Sequence, residues 1–182
     1  MPKCKTVALT VLILLLTSGF TYAQQETQVI GDLKTEFLCE VKANLVIPPQ
    51  VVGQGPQGTR MIYHVTDGTV KGPKVNGKVL PGPADWFLVR PDGAGQLDVR
   101  ATIETDDGRL IYVRYRGICV VAPEVMERIR KGESVECSEY YFRTTPIFET
   151  GAEKYRWLNQ VVSVGVGTLG QNFVSYKIYV IR

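Results

Sequence analysis

The chain has 182 residues, of which 45% are hydrophobic and 21% charged, and a formal charge of +3. This composition is ordinary for a globular protein and excludes a disordered or collagen-like chain. The length predicts one domain with a core of its own, since domains average about 150 residues. The 18 glycines, 10 prolines and 9 tyrosines favour strands and turns over helices.

The N-terminus has the layout of a secretory signal peptide. A basic start precedes the apolar stretch Thr6–Phe20, and Thr21 and Ala23 supply small residues before a cleavage site. An uncleaved membrane anchor is the alternative, but an apolar run of about 15 residues is shorter than the roughly 20 that span a bilayer. We therefore predict that residues 1–23 are removed. Residues 24–182 would form a single domain that is exported to the periplasm or secreted and has no membrane contact.

Most of the mature chain alternates apolar and polar residues, which is the pattern of half-buried strands. The strongest signal is a hairpin, in which two long alternating runs flank a short Asp-Gly turn at Asp107-Gly108. A second Asp-Gly pair, Asp67-Gly68, predicts another turn. The predicted strands in chain order are Thr35–Leu45, Thr59–Thr66, the glycine-broken stretch Thr69–Leu80, Trp86–Arg90, Gln96–Thr105, Arg109–Val121, Tyr140–Phe148, Val161–Gly167 and Phe173–Ile181.

Helical patterns are scarce. Pro123–Lys131 has a proline near its start, cations near its end and a glycine after it, and Tyr155–Asn159 fits a single turn. Many short strands without a βαβ rhythm predict a sandwich or a barrel. Because closure removes exposed strand edges, we favour an all-β fold, an antiparallel closed or nearly closed barrel of about 8–10 strands with one short helix.

Charge and metal-ligating residues restrict the partners. Without the leader, 19 lysines and arginines face 18 aspartates and glutamates, and no basic block stands out. Binding to nucleic acid is therefore not expected, whereas the sequence leaves a homo-oligomer open. Of the remaining cysteines, Cys39, Cys119 and Cys137, at least one stays unpaired, and His64 is the single histidine. No spacing fits a zinc site or a triad, so we expect neither metal nor cofactor.

The hairpin strands have one apolar and one polar face, and two orientations remain open. In the first, the apolar face fills the barrel and the charged face lies in water, as most charged residues do. In the second, the polar face, with Arg100 and Glu104 two positions apart, lines a wet pocket for one small ligand. The hypothesis of a polar cavity requires the second orientation.

A series of short motifs resembles the DUF3237 family, also called UPF0311. The motifs are 58–60 (GTR), 72–73 (GP), 80–86 (LPGPADW), 97–100 (LDVR), 104–108 (ETDDG), 141–144 (YFRT), 148–150 (FET) and 155–159 (YRWLN). The resemblance extends from about Phe37 to the C-terminus and implies a compact antiparallel β-barrel without a settled activity. The leader departs from the shorter, leaderless members and suggests an exported variant.

Two classes of function fit these residues. The first is an enzyme of lyase, isomerase or hydrolase type that acts on a small carbonyl or aromatic molecule by acid/base chemistry. The candidate general acids or bases are Glu104, Asp85 and Glu149. The candidates that would hold an anionic oxygen or contact the ligand are Arg60, Arg100, Arg143, Trp86, Tyr141, Trp157 and Asn159.

The second class is a non-catalytic, lipocalin-like barrel that binds a small ligand. Burial of a carboxylate distinguishes the two classes, because catalysis near neutral pH needs a carboxyl whose pKa is raised by apolar surroundings. The enzyme hypothesis therefore predicts that at least one of the three carboxylates is buried, faces a cavity and lies near an arginine.

Overall fold

The structure, a computed structural model, describes residues 33–182, so the predicted leader lies outside the described residues. Within this range the elements in chain order are β1 (Thr35–Leu45), β2 (Gln50–Gly55), β3 (Gly58–Lys71), β4 (Gly77–Val79), β5 (Ala84–Val89), β6 (Gly95–Thr105), β7 (Leu110–Val120), α1 (Pro123–Arg130), β8 (Tyr141–Glu149), a 3-10 helix (Glu153–Gln160), β9 (Ser163–Leu169) and β10 (Phe173–Ile181).

The strands form a closed antiparallel barrel. β1 pairs with β10 on one side and with β3 on the other, which closes the sheet on itself. β3 is long enough for β1 and β2 to follow one another along one edge, and for β4 and β5 to follow one another along the other. The ten strands therefore fill eight positions around the barrel, which confirms the predicted fold class.

One predicted turn is wrong, because β3 continues through Asp67-Gly68 without reversing. A side chain at Gly68 would place its Cβ 2.6 Å from the carbonyl oxygen of Lys42 on β1. The glycine therefore allows two strands to approach closely, and no turn is involved. β2 was not predicted, because it is short, glycine-containing and exposed along most of its length.

The apolar faces of the strands point into the barrel. Pairing register connects Tyr63, Asp85, Val99, Tyr115 and Pro146 at one level around the wall. Leu97, Val99 and Ile103 on the inward face of β6 are buried, whereas the outward positions of the strand are partly or fully exposed. The expectation that the polar face of this strand lines the cavity is therefore wrong. Burial of its arginine and carboxylate side chains would remove charges from water at a large cost.

The two helices lie at opposite ends of β8. α1, predicted from its proline start and basic end, buries Val125 and Ile129 against the core. The 3-10 helix buries Tyr155 and Leu158 in the same way. In the described range, no helix has the length and apolar character needed to cross a membrane.

Candidate functional site

A cavity of about 550 Å³ lies between α1 and the adjoining ends of β5, β6 and β7. Its apolar wall includes Phe87, Val89 and Met126. Its charged groups come from α1, where Arg130 donates a 2.7 Å hydrogen bond to Glu127. Since Glu124 also lines the cavity, carboxylates outnumber cations there, and the cavity suits a neutral ligand better than an anion.

Asp85 lies one inward position deeper in the barrel than Phe87. Strand alternation places Asp85 and Phe87 on the same face of β5, and Tyr63 on β3 is the register partner of Asp85. The Phe87 ring packs edge-on against Tyr63 with 5.9 Å between ring centroids. On the other side, Val99 lines a second, smaller void of about 30 Å³ and is the register partner of Asp85. Asp85 itself lines neither cavity, but its strand neighbour Phe87 lines the larger one and its register partner Val99 lines the smaller one.

The surroundings of Asp85 change its acidity. Burial raises the pKa of this carboxyl to about 7, against a hydrogen bond from the Asp98 backbone N–H that lowers it. The charge of Asp98 raises the pKa further, and the charge of Arg60 lowers it. Asp85 therefore changes protonation near neutral pH, which is the behaviour required of a general acid or base.

The negative charge of this carboxyl acts on three tyrosines of the barrel, which keep their protons. Burial and the negative charge of Asp85 raise the pKa of Tyr63, whereas the charge of Arg130 lowers it. Burial also raises the pKa values of Tyr115 and Tyr176, whose rings pack with centroids 5.3 Å apart. The site thus has phenolic hydroxyl groups that can donate hydrogen bonds.

The thiols contribute no nucleophile to this region. Cys119 lines the larger cavity, but burial and the charge of Asp85 raise its pKa to about 12, so the reactive thiolate is scarce. Cys39 is buried, Cys137 is exposed, and all three thiols are free. No group of three His, Cys, Asp or Glu side chains among residues 33–182 is arranged to hold a metal ion.

The other two candidate carboxylates lie on the outer surface. Glu104 points away from the core and forms a 3.1 Å ion pair with Lys78. Glu149 is exposed at the end of β8, where it pairs in register with Tyr112. Of the three carboxylates proposed from the sequence, the structure brings only Asp85 to the interior.

The candidate arginines do not enter the cavity. Arg60 donates a hydrogen bond to the carbonyl oxygen of Trp86, and Arg100 lies over the Trp86 ring, 5.8 Å from its centroid. Arg143 donates to the carbonyl oxygen of its neighbour Phe142 at 2.9 Å and lies 5.2 Å from the Tyr141 ring. These side chains cover the outside of the barrel.

Two further candidates lie at the opposite end of the barrel, on the 3-10 helix. The Asn159 side chain accepts a hydrogen bond from the Thr150 N–H and donates one to the Thr150 carbonyl, both at 2.9 Å. Lys74 and Arg182, which both pair with Glu36, lie near the Trp157 ring, at 5.4 and 5.7 Å from its centroid. Asn159 and Trp157 both hold the helix against the strands.

The candidates predicted from the sequence did not include Tyr63, Phe87 or the charged residues of α1. The two aromatic residues stand in alternating strands, so placing the apolar face inward would have assigned them to the interior. The sequence identified α1 as a helix but contained no signal that the helix lies beside the cavity.

Comparison with known proteins identifies the family. The family described as "Protein of unknown function (DUF3237)" matches residues 33–181. A UPF0311 protein of Clostridium acetobutylicum is 42% identical over 133 residues, which cover 72% of this chain and 84% of the relative.

Solved structures agree with this match. A conserved protein of unknown function from Rhodopseudomonas palustris superposes with a TM-score of 0.78 at 32% identity, over 84% of this chain and 99% of the other. A beta-barrel like protein from Acinetobacter baumannii superposes with a TM-score of 0.73 at 34% identity, over 84% and 98%. The chain therefore belongs to the DUF3237 family, whose curated members are named UPF0311 proteins.

Proposed function

We propose that the cavity beside α1 binds a small, neutral aromatic or carbonyl molecule, and that Asp85 exchanges a proton with it in a lyase or isomerase type of step. The observation that carries this proposal is the position of Asp85, which is part-buried on the same face of β5 as Phe87, and the Phe87 ring lines the cavity. A part-buried carboxyl whose pKa is raised by its surroundings is a candidate for acid/base chemistry.

The chemistry divides between two side chains. Ionised Asp85 removes a proton from the carbon next to a carbonyl group, and the electron pair of the broken C–H bond moves onto the carbonyl oxygen. Tyr63, which keeps its proton, donates a hydrogen bond to the resulting enolate oxygen. This tyrosine takes the role that the sequence analysis gave to arginines. Return of the proton by Asp85 restores the ketone or yields its isomer.

Exchange of carbon-bound hydrogen tests the proposal directly. The probe is 2-tetralone in D2O, an aromatic ketone with acidic protons next to its carbonyl group, followed by proton NMR. We expect the protein to accelerate deuterium incorporation, with a rate that rises as the pH passes about 7 and Asp85 ionises. In Asp85→Asn the acceleration should fall by about 100-fold or more, since general base catalysis supplies that much. Exchange at the rate of buffer alone would exclude the enzymatic function.

A non-catalytic binding barrel is the second candidate, and one observation favours it. The Phe87 ring packs against Tyr63 at the inner end of the cavity, so a ligand can occupy the cavity without touching Asp85. This function predicts that 2-tetralone binds without exchange, and that Asp85→Asn binds it as well as the natural protein does.

We further propose that the leader at residues 1–23 directs export. The layout of this segment supports export, and the family match begins after it, at residue 33. An exported protein of this kind would meet its small ligand in the periplasm or outside the cell.

A further inference from the structure

The outer wall of the barrel carries a group of exposed arginines with few partners. Arg100 on β6 and Arg114 on β7 are direct register partners, and both are exposed. Like charges placed directly opposite each other across two strands destabilise a sheet. Arg116, the next outward residue of β7, is also exposed and extends the positive charge along the strand.

Few carboxylates neutralise this charge. Within residues 33–182, Arg114 and Arg116 form no ion pair, although Asp98 is the register partner of Arg116, and Arg100 has one carboxylate oxygen of Asp98 at 3.6 Å. The guanidinium groups therefore leave most of their hydrogen-bond donors to solvent. Their repulsion is a cost that a partner of opposite charge would relieve.

Apolar side chains lie beside these arginines. Trp86 is 38% exposed, and the Arg100 guanidinium lies over its ring. Ile147 is 48% exposed and pairs in register with Arg114. We call these five residues, Trp86, Arg100, Arg114, Arg116 and Ile147, the arginine face. They combine planar cations with exposed apolar surface on one rigid sheet.

We infer that the arginine face docks a protein partner through a segment with alternating acidic and apolar side chains. Protein interfaces are enriched in tryptophan and arginine and depleted of lysine, and the arginine face contains no lysine. Guanidinium groups bind carboxylates with two parallel hydrogen bonds. The exposed Trp86 and Ile147 side chains would contact the apolar residues of such a segment, whereas a phosphate chain would leave them uncovered. The face points away from the cavity, so the inference is independent of the proposed function.

The test uses a synthetic heptapeptide of alternating glutamate and leucine. The chain has two tryptophans, so NMR gives two indole N–H signals, and Trp157 at the other end of the barrel serves as an internal reference. We expect the peptide to shift the Trp86 signal and not that of Trp157, with binding that weakens as salt is added. The affinity of the double variant R114E/R116E for the peptide should be lower by about tenfold or more. R114Q/R116Q should lose less affinity, because it removes the positive charges without adding negative ones.

A matched control distinguishes the effect of the arginine face on binding from the effect of the protein's net charge. R109E/K131E makes the same change in net charge at two exposed residues outside the arginine face, and should bind the peptide like the natural protein. The inference is overturned if the peptide does not shift Trp86 or if the control loses as much affinity as R114E/R116E. It is also overturned if an oligothymidylate of equal charge binds more tightly at the same place, which would indicate a nucleic acid partner. Unchanged near-ultraviolet circular dichroism shows that each variant is folded.

Discussion

The side chains of Arg60 and Asp85 bind backbone groups at a gap in the hydrogen-bonded ladder between β5 and β6. Asp85 pairs with Val99, the next two residues of each strand are unpaired, and pairing resumes between Leu88 and Gln96. In the gap, Arg60 donates to the Trp86 carbonyl and Asp85 accepts from the Asp98 N–H at 3.0 Å. Side chains thus satisfy backbone groups that the ladder leaves free, and this hydrogen bond holds the Asp85 carboxyl within the barrel wall.

The pKa of Asp85 predicts how stability depends on pH. This pKa is about 7 in the folded protein against an ordinary value of 3.8. Between these values the folded protein holds a proton that the unfolded chain has released, so stability falls as pH rises and levels off above about 7. Asp85→Asn should remove this loss. Above about pH 7 its free energy of unfolding should exceed that of the natural protein by a few kcal/mol at most, because one pKa unit is about 1.4 kcal/mol.

Urea unfolding of both proteins at pH 4, 6 and 8 measures this difference. An identical pH dependence in the two proteins would show that Asp85 ionises at its ordinary pKa.

Gly95 controls the position of the Phe87 ring in the cavity wall. A Cβ at Gly95 would overlap this ring, so Gly95→Ala must displace it. We expect a loss of stability of about 1–3 kcal/mol, as for other overpacked sites, together with altered binding of 2-tetralone. Gly151→Ala is the control, since nothing lies within 4 Å of a Cβ at that glycine. Fluorescence-monitored unfolding and NMR titration give the two readouts, and normal behaviour of Gly95→Ala would place the ring elsewhere.

The outward carboxylates should be dispensable for proton exchange. Glu104→Gln removes a surface ion pair with Lys78, and Glu149→Gln changes an exposed side chain. Both variants should exchange 2-tetralone protons at the rate of the natural protein, because neither group faces the cavity. A large loss of exchange in either variant would contradict the assignment of the acid/base role to Asp85.

Asn159 should matter for stability and not for ligand binding. Asn159→Ala removes two hydrogen bonds to the backbone of Thr150, and we expect a loss of about 1–2 kcal/mol in the free energy of unfolding. The adjacent, exposed Gln160→Ala provides the comparison and should be nearly neutral. Titration of Asn159→Ala with 2-tetralone should give the affinity of the natural protein. A weaker affinity would indicate that Asn159 contacts the ligand, as predicted from the sequence.

The leader makes a prediction about the mature N-terminus. When the full chain is produced in a bacterium with a secretion system, N-terminal sequencing of the soluble protein should begin at Gln24. Ala23→Leu should block cleavage, because a bulky residue does not fit the −1 position. Recovery of the intact N-terminus from the cytosol of cells that produce the natural chain would exclude export.

Local patterns were sufficient for most of the fold. Alternation located the hairpin of β6 and β7, and the proline and glycine around Pro123–Arg130 located α1. They failed at Gly68, where the need for glycine comes from the carbonyl of Lys42 on another strand. A close approach between distant segments requires glycine just as a turn does, and the sequence does not distinguish the two causes.

The sequence by itself determined which side chains share a face of each strand, because successive residues of an extended chain point in opposite directions. Only closure of the barrel decided which face is inside. It put Arg100 and Glu104 in water, and left Asp85 in the interior beside Tyr63. The physical reason is the cost of removing charges from water: a barrel interior can hold one carboxyl that takes up a proton, whereas a row of arginines and carboxylates stays outside.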